Sequence, residues 1–208
     1  MRKFGARIVT IKAVPLFPLQ TVLYPGGPLP LRVFEPRYLD MVSRCMKADE
    51  PFGVVLLSSG IEVGGKSQVK TENTGTLGTI SDWYQGDDGV LGVTVLGGAS
   101  FTLLNTQRQD DGLNVGEIEM LQSEPEVSLP LEYKLMSDLL RAVVDDLGRL
   151  YETIEKRYED ASWVGYRFAE ILPLDLASKQ RCLEMRDPIE RLEYLQPQLR
   201  LIREEQTQ

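Results

Sequence analysis

The sequence predicts an α+β protein: a small, partly closed β-barrel with one inserted helix, followed by a helical half. Three observations carry this. Around Ser123-Glu124-Pro125-Glu126 the composition changes from Gly, Thr, Val and Pro in period-two stretches to Leu, Glu and Arg with hardly any Gly. Before that shift, Gln85-Gly86-Asp87-Asp88-Gly89 and Asp110-Asp111-Gly112 separate short apolar runs in the manner of hairpin turns. Beyond it, apolar residues advance by threes and fours. We therefore expect a β-rich subdomain over 1–123 and an α-helical one over 124–208.

Each element has its own signal. Thr10 to Leu16 and Leu29 to Phe34 are predicted strands, the second alternating Leu29, Leu31 and Val33 with Pro30, Arg32 and Phe34. From Pro36 to about Lys47, the residues Tyr38, Met41, Val42, Cys45 and Met46 fall on one face of a helix. Pro36 suits its first turn, and Arg37, Asp40, Arg44 and Lys47 are expected to face away. Phe52 to Ser58 is a continuous apolar run suited to a strand buried on both faces. Gly75 to Tyr84 and Val90 to Leu96 flank the first turn signal, while Phe101 to Leu104 and Val115 to Leu121 flank the second. Strands at this spacing suggest the barrel.

In the second half, Leu131, Leu135, Leu139, Val143, Leu147, Leu150, Ile154 and Tyr158 predict one long amphipathic helix. Another runs from Trp163 to about Leu172 and stops at Pro173, and Asp175 can cap a third. Asp187-Pro188-Ile189-Glu190 combines a capping aspartate, a first-turn proline and a glutamate three residues after the cap, opening a last helix that Pro197 should kink or end. These helices are expected to pack as a bundle.

Composition narrows the function. The 208 residues carry 23 Lys plus Arg against 31 Asp plus Glu, a net charge of −8, and no histidine. That absence excludes Ser-His and Cys-His nucleophile systems, imidazole bases and most zinc sites. The acidity argues against a nucleic-acid partner, whose affinity comes from clustered Lys and Arg. Arg2, Lys3, Arg7 and Lys12 are the single basic cluster. Cys45 and Cys182 form no CxxC pair and read as small buried hydrophobes. Prolines 15, 18, 25, 28 and 30 break the apolar stretch that a signal peptide would need, and no window approaches a membrane span. The expectation is a cytoplasmic protein without a membrane partner.

Three motifs resemble chemistry. Gly60-Ile61-Glu62-Val63-Gly64-Gly65-Lys66-Ser67 matches the phosphate-loop pattern letter for letter. The helix whose N-terminus would hold the phosphates is missing, because Gln68 to Gly75 has no apolar helical period. Ser67-Gln68-Val69-Lys70 has the spacing of a Ser-Lys pair without its supporting elements. The pairs Asp87-Asp88 and Asp110-Asp111 sit beside Gly, where Asp is ordinary turn chemistry, and Asp145-Asp146 lies within the long helix.

A more specific signal comes from a set of short segments. Val14-Pro15-Leu16-Phe17-Pro18-Leu19, Val22 to Gly27, Leu29-Pro30-Leu31 and Phe34-Glu35-Pro36-Arg37-Tyr38 together resemble the opening of the N-terminal substrate-binding domain of ATP-dependent Lon proteases. The resemblance continues through Phe52 to Leu56, Gly75 to Ile80 and Gly97 to Phe101, although Ser100 stands where the family usually has an arginine. It extends through Leu172-Pro173-Leu174, Lys179 to Glu184 and Glu190-Arg191-Leu192, and so covers about Val14 to Ile202. It implies a PUA-like pseudobarrel with an inserted helix, then a helical bundle. It also implies a stand-alone recognition domain, since full Lon proteases continue into ATPase and peptidase modules.

The resulting expectation is a noncatalytic module that binds unfolded or apolar protein segments, with no cofactor, no metal and no nucleic acid, and with homo-oligomers allowed. Candidate binding residues are Phe34, Glu35, Arg37 and Tyr38, with Trp83 and Tyr84 before the first hairpin. Each also has a purely structural reading. Tyr38 lies on the inward face of its helix, Phe34 ends a strand, and Glu35 with Arg37 can fix the strand-to-helix turn. The alternatives are a nucleotide enzyme using Gly60 to Ser67, and RNA binding of the kind found among PUA-like barrels.

Overall fold

The computed structural model describes residues 11–59 and 70–205. The Gly60–Ser67 motif, most of the Ser67–Lys70 spacing, and Arg2, Lys3 and Arg7 lie outside the described residues. The element order is β1 (Ile11–Leu19), β2 (Pro28–Val33), α1 (Pro36–Ala48), β3 (Phe52–Ser59), β4 (Lys70–Gln85), β5 (Leu91–Arg108), β6 (Asn114–Met120), α2 (Lys134–Asp146), α3 (Ala161–Ile171), α4 (Leu176–Glu184) and α5 (Pro188–Glu205).

The strands form a mixed sheet in the order β2-β5-β4-β3-β1-β6, and β6 also pairs with the second half of β5. Pairing thus runs around a ring of β5, β4, β3, β1 and β6, with β2 on the first half of β5. The ring is uneven: β1 and β3 pair only from Leu16↔Gly53 to Leu19↔Leu56, whereas β4 and β5 pair from Thr74↔Thr102 to Gln85↔Leu91. The β1–β3 pairing is parallel because α1 provides a crossover between them. Both hairpin signals are turns, with Gly89 and Gly112 at positive φ.

Where two strands are expected around Gly97-Gly98, β5 runs through as one. These glycines mark a close backbone approach rather than a strand end. Gly26 N–H donates to Gly97 O (2.7 Å) and Gly97 N–H donates to Gly27 O (2.9 Å). A Cβ on Gly97 would run into the Tyr24 carbonyl oxygen.

Two cores fill the β half. One is built by strands alone, around Leu16, Val55, Phe101 and Ile118. The other lies under α1, where Tyr38, Met41, Val42 and Cys45 meet Phe17, Phe52, Val93 and Val95. Met46, expected on that face, is exposed at the end of the helix. Arg37, expected to face away, is instead half-buried and bonded across the chain.

The single long helix expected from Leu131 to Tyr158 breaks after Asp146. A 3-10 turn at Leu131–Tyr133 leads into α2, and a second at Gly148–Tyr151 follows it, with Gly148 at φ 53°. Asp145 and Asp146 at the helix C-terminus oppose its dipole, and Gly148 admits the left-handed conformation that ends the run. The inward face also differs. Met136, Ser137, Leu140 and Val144 are buried, while Leu131 (84%) and Leu135 (62%) are exposed, as are Val143 and Leu147. α2 carries two apolar ridges, and the periodicity alone did not say which one packs.

The caps of α4 and α5 follow expectation, and that of α3 was not read from the sequence. Asp160 accepts from the N–H groups of Ser162 and Trp163, starting α3 two residues earlier than predicted. Asp175 caps α4 through Ser178 N–H, and Asp187 accepts from Ile189 N–H at the start of α5. α5 continues past Pro197 to Glu205 rather than ending there.

The halves share one segment, Val22 to Gly27. Leu23 packs in the core under α1, while Val22 and Tyr24, with Leu56, belong to the large helical cluster. Tyr24 OH donates to Lys179 O (2.8 Å), Gln180 Nε2 to Thr74 O (3.0 Å), and the fully buried Arg167 to Pro25 O (3.1 Å). Between the halves, Glu124 is held by an equally buried Arg191, whose Nε also donates to Cys182 O (2.8 Å).

Two outcomes follow in urea unfolding. Arg191→Met, which leaves the Glu124 carboxylate buried without its cation, should lose about 3–5 kcal/mol, and adding Glu124→Leu should recover part of it. Gly97→Ala should lose about 3 kcal/mol because its methyl meets backbone rather than a movable side chain.

Candidate functional site

The chain leaves β2 at Val33, turns at Phe34-Glu35 and enters α1 at Pro36. Pro36 forces the preceding residue to stay extended, and Glu35 does so at φ −77°, ψ 133°. This turn leaves an apolar groove of about 350 Å³ between the ends of β1 and β2, lined in part by Phe17, Leu19, Leu31, Phe34, Tyr38 and Leu57.

The wall is rigid. Tyr38 stacks on Phe17 with ring centroids 4.1 Å apart, and Phe17 packs against Phe52. The Arg37 guanidinium lies 4.7 Å from the Tyr38 ring centroid, donates to Glu35 Oε2 (3.1 Å) and reaches Gly112 O in the second hairpin (2.9 Å). Glu35 and Arg37 therefore clamp the strand-to-helix turn onto the β5–β6 hairpin. Phe34 stands out of this frame with 65% of its surface exposed. An exposed phenyl beside an apolar hollow is a surface that an apolar side chain can cover.

Trp83 (58% exposed) and Tyr84 (53%) sit at the end of β4, apart from the groove. The Tyr84 ring covers Gly92, where a Cβ would strike it. Arg32 lines both the groove and the small hollow beside Tyr84, and pairs with Asp88 at the hairpin. The Asp88 carboxyl is held below the ordinary range by the Val90 N–H and then by Arg32. Phe34, Glu35 and Tyr38 thus line one groove with Arg37 behind them, and the two exposed aromatics of β4 lie across Arg32. Phe17, Leu19 and Leu57 were not singled out from sequence. No local signal carries them, because they meet Phe34 only through strand pairing and the α1 crossover.

A second cleft lies along the seam between the halves, as two hollows of about 480 and 400 Å³ that share Pro25, Gly26, Asp160, Ser162 and Tyr166. Its polar groups are largely engaged in support. Tyr166 OH donates to Glu124 Oε1 (2.5 Å), Ser162 Oγ donates to Glu124, and the Arg191 guanidinium lies 3.7 Å from the Tyr166 ring centroid. Burial pushes the Tyr166 hydroxyl up despite that cation. Ser100, on the wall of this cleft, keeps a buried hydroxyl without a partner among the described residues.

The cysteines and the turn aspartates have structural surroundings. Cys45 and Cys182 are free and buried, and burial pushes the Cys182 thiol up to about 11. Asp88 and Asp111 accept from Val90 and Leu113 N–H groups, as turn aspartates do. Among the described residues, no group of three or more acidic or Cys side chains could hold a metal ion, and no helix is long and apolar enough to cross a membrane.

Comparison with known proteins finds similarity over most of the chain. The family model for the ATP-dependent protease La (LON) substrate-binding domain matches residues 13–200. A Lon protease of Xanthomonas oryzae pv. oryzae is 30% identical over 202 residues, covering 88% of this chain and 22% of that protein. Protein cereblon of Xenopus tropicalis is 27% identical over 135 residues, covering 62% of this chain and 29% of that one. A crystal structure of a Lon N-terminal domain protein from Xanthomonas campestris superposes with a TM-score of 0.72 at 34% identity, covering 89% of this chain and 98% of that one. The chain spans less than a third of the length of the curated relatives it matches.

The groove residues should separate cleanly by stability. Phe34→Ala should change unfolding free energy by no more than about 0.5 kcal/mol, as expected of an exposed side chain. Tyr38→Ala should cost about 3–5 kcal/mol by emptying the stack on Phe17. Thermal and urea melts of both variants check this.

Proposed function

The chain belongs to the Lon substrate-binding domain family, and from that premise we propose that it binds exposed apolar segments of other polypeptides at the Phe34 groove, without chemistry of its own. The observation that carries this is the contrast at the β2–α1 turn. Glu35, Arg37 and Tyr38 are fixed by partners on three elements, and they hold Phe34 outward over an apolar hollow. The hollow is near the lower end of the range for ligand pockets, so it suits one or two apolar side chains of an extended or helical segment. Trp83 and Tyr84 supply further aromatic surface on the neighbouring hairpin, and Arg32 supplies a charge between the two.

We read the β half as a PUA-like pseudobarrel and the helices as a bundle packed on it, with the subdomain boundary at Ser123/Glu124. The five-strand pairing ring and the large helical core support that reading. As a recognition domain, it would hold or deliver clients for proteolysis. Two free, buried thiols fit a reducing, cytoplasmic setting.

Isothermal calorimetry with a permanently unfolded protein tests the reading. Wild type should bind with micromolar affinity, and Phe34→Asp should weaken binding at least tenfold, about 1.4 kcal/mol, while keeping its melting curve. No heat with wild type would overturn the function. Equal affinities for the two proteins would remove it from this groove.

A further inference from the structure

We propose that the outer end of the seam cleft is a second binding site, one that takes an extended polypeptide carrying a Lys or Arg next to an apolar side chain. It shares no lining residue with the Phe34 groove. The two seam hollows continue into a third of about 430 Å³, lined in part by Glu126, Glu155 and Glu159. All three hollows share Arg157 and Asp160, so they form one depression from Ser81 and Leu96 on the sheet to Glu159 before α3. Junctions between packed units are favoured places for ligand sites.

Charge decides what the outer end can take. Glu126, Glu155, Glu159 and Asp160 line it against a single described cation, Arg157. Arg157 pairs with Glu155 (2.9 Å), and its guanidinium is held above its ordinary range by Glu155 first and then by Asp160 and Glu126. Asp160 also accepts from the α3 N–H groups that it caps. Glu126 and Glu159 are exposed and make no ion pair among the described residues. At the inner end, by contrast, Glu124 is matched by Arg191, and Arg186 is bonded to Gln122 O. The surplus of acid therefore sits at the outer end, around a half-exposed guanidinium. Arg157 is the chain's own stand-in for an incoming cationic side chain.

An acidic hollow by itself takes any cation, and the walls narrow the choice. Trp163 Nε1 and Ser100 Oγ are buried on those walls and have no partner among the described residues. An indole N–H can only donate, so the group it lacks is an acceptor, and buried polar groups left unpaired are costly. A peptide carbonyl is such an acceptor, and a polyamine has none. Pro25, Leu96 and Ile154 add apolar surface beside Trp163. In an extended chain, residues two apart share a face. A segment with an apolar residue two positions from a Lys or Arg therefore meets the apolar surface and the acids together, while its carbonyls face the unpaired donors.

Fluorescence anisotropy on the full chain, with a labelled peptide of Leu-Ala-Arg-Ala repeats, tests this. Wild type should bind it in the micromolar range, more weakly as salt is raised, and should bind Leu-Ala-Glu-Ala repeats at least tenfold less tightly. Glu126→Lys with Glu159→Lys should lower affinity at least tenfold with an unchanged melting curve, and the corresponding double Gln variant serves if the reversal does not fold. Arg157→Ala, which removes the stand-in, should raise affinity about threefold or more, a gain that a merely structural arginine would not give. Ser100→Ala should lower affinity about threefold without loss of stability. No binding by wild type, equal affinity for the two peptides, or indifference to the Glu126 and Glu159 substitutions overturns the proposal. Weaker binding by Arg157→Ala overturns the stand-in role, and unchanged binding by Ser100→Ala overturns the carbonyl contact. Spermidine that displaces the peptide as well as unlabelled peptide does would reduce the site to a bare cation site. Phe34→Asp should leave the affinity unchanged. Its loss in that variant would move the peptide to the Phe34 groove, overturning the seam site and sparing the function proposed above.

Discussion

The backbone crossing of Gly26 and Gly27 over Gly97 is the constraint on which the rest of the structure depends. Two hydrogen bonds fasten the Val22–Gly27 segment to the middle of β5, and they form only because residue 97 has no Cβ. Once held there, the segment faces two ways. Leu23 completes the core under α1 and accepts from the Thr76 hydroxyl, while Tyr24 enters the helical core and donates to Lys179 O. Arg167 and Glu170 then close over Gly27, where any side chain would meet their charged ends. Burial raises the Glu170 carboxyl and the neighbouring cation offsets this, so the pair is a specifying contact more than a source of net stability.

This construction separates support from recognition. The groove lies at the far end of β2 from the crossing, where the strand passes through Glu35 into α1. Arg37 is the link: its guanidinium covers Tyr38, holds Glu35 and reaches the β5–β6 hairpin, so the turn cannot swing independently of the barrel. A rigid wall under one exposed phenyl orders few groups on binding, and the cost of ordering is what limits small interfaces. In the seam cleft, by contrast, Glu124, Arg191, Tyr166 and Ser162 are bound to one another.

Much of the fold was legible because its signals are local. Both hairpins rest on Asp-Gly turns, and α4 and α5 begin where Asp175 and Asp187 accept backbone N–H groups. The errors have a common source. Gly97-Gly98 reads as a strand break until the Tyr24–Gly27 turn is laid across it, and α2 offers two ridges of equal spacing between which its packing against α3 chooses. Arg37 follows the helical period of a solvent residue, yet it bonds a carbonyl 75 positions away.

By itself, the sequence determined the order of strands and helices, the places where most of them start, the burial of Cys45 and Cys182, and the membership in a substrate-binding family. These depend on hydrogen bonds and side-chain spacings within a few residues, or on segments long enough to be matched directly. Tertiary structure alone decided which apolar ridge is inside, that β5 is continuous, and that Phe17, Leu19 and Leu57 stand around Phe34. Those outcomes depend on which distant backbone arrives at a given surface, and free energy of burial is indifferent to sequence distance.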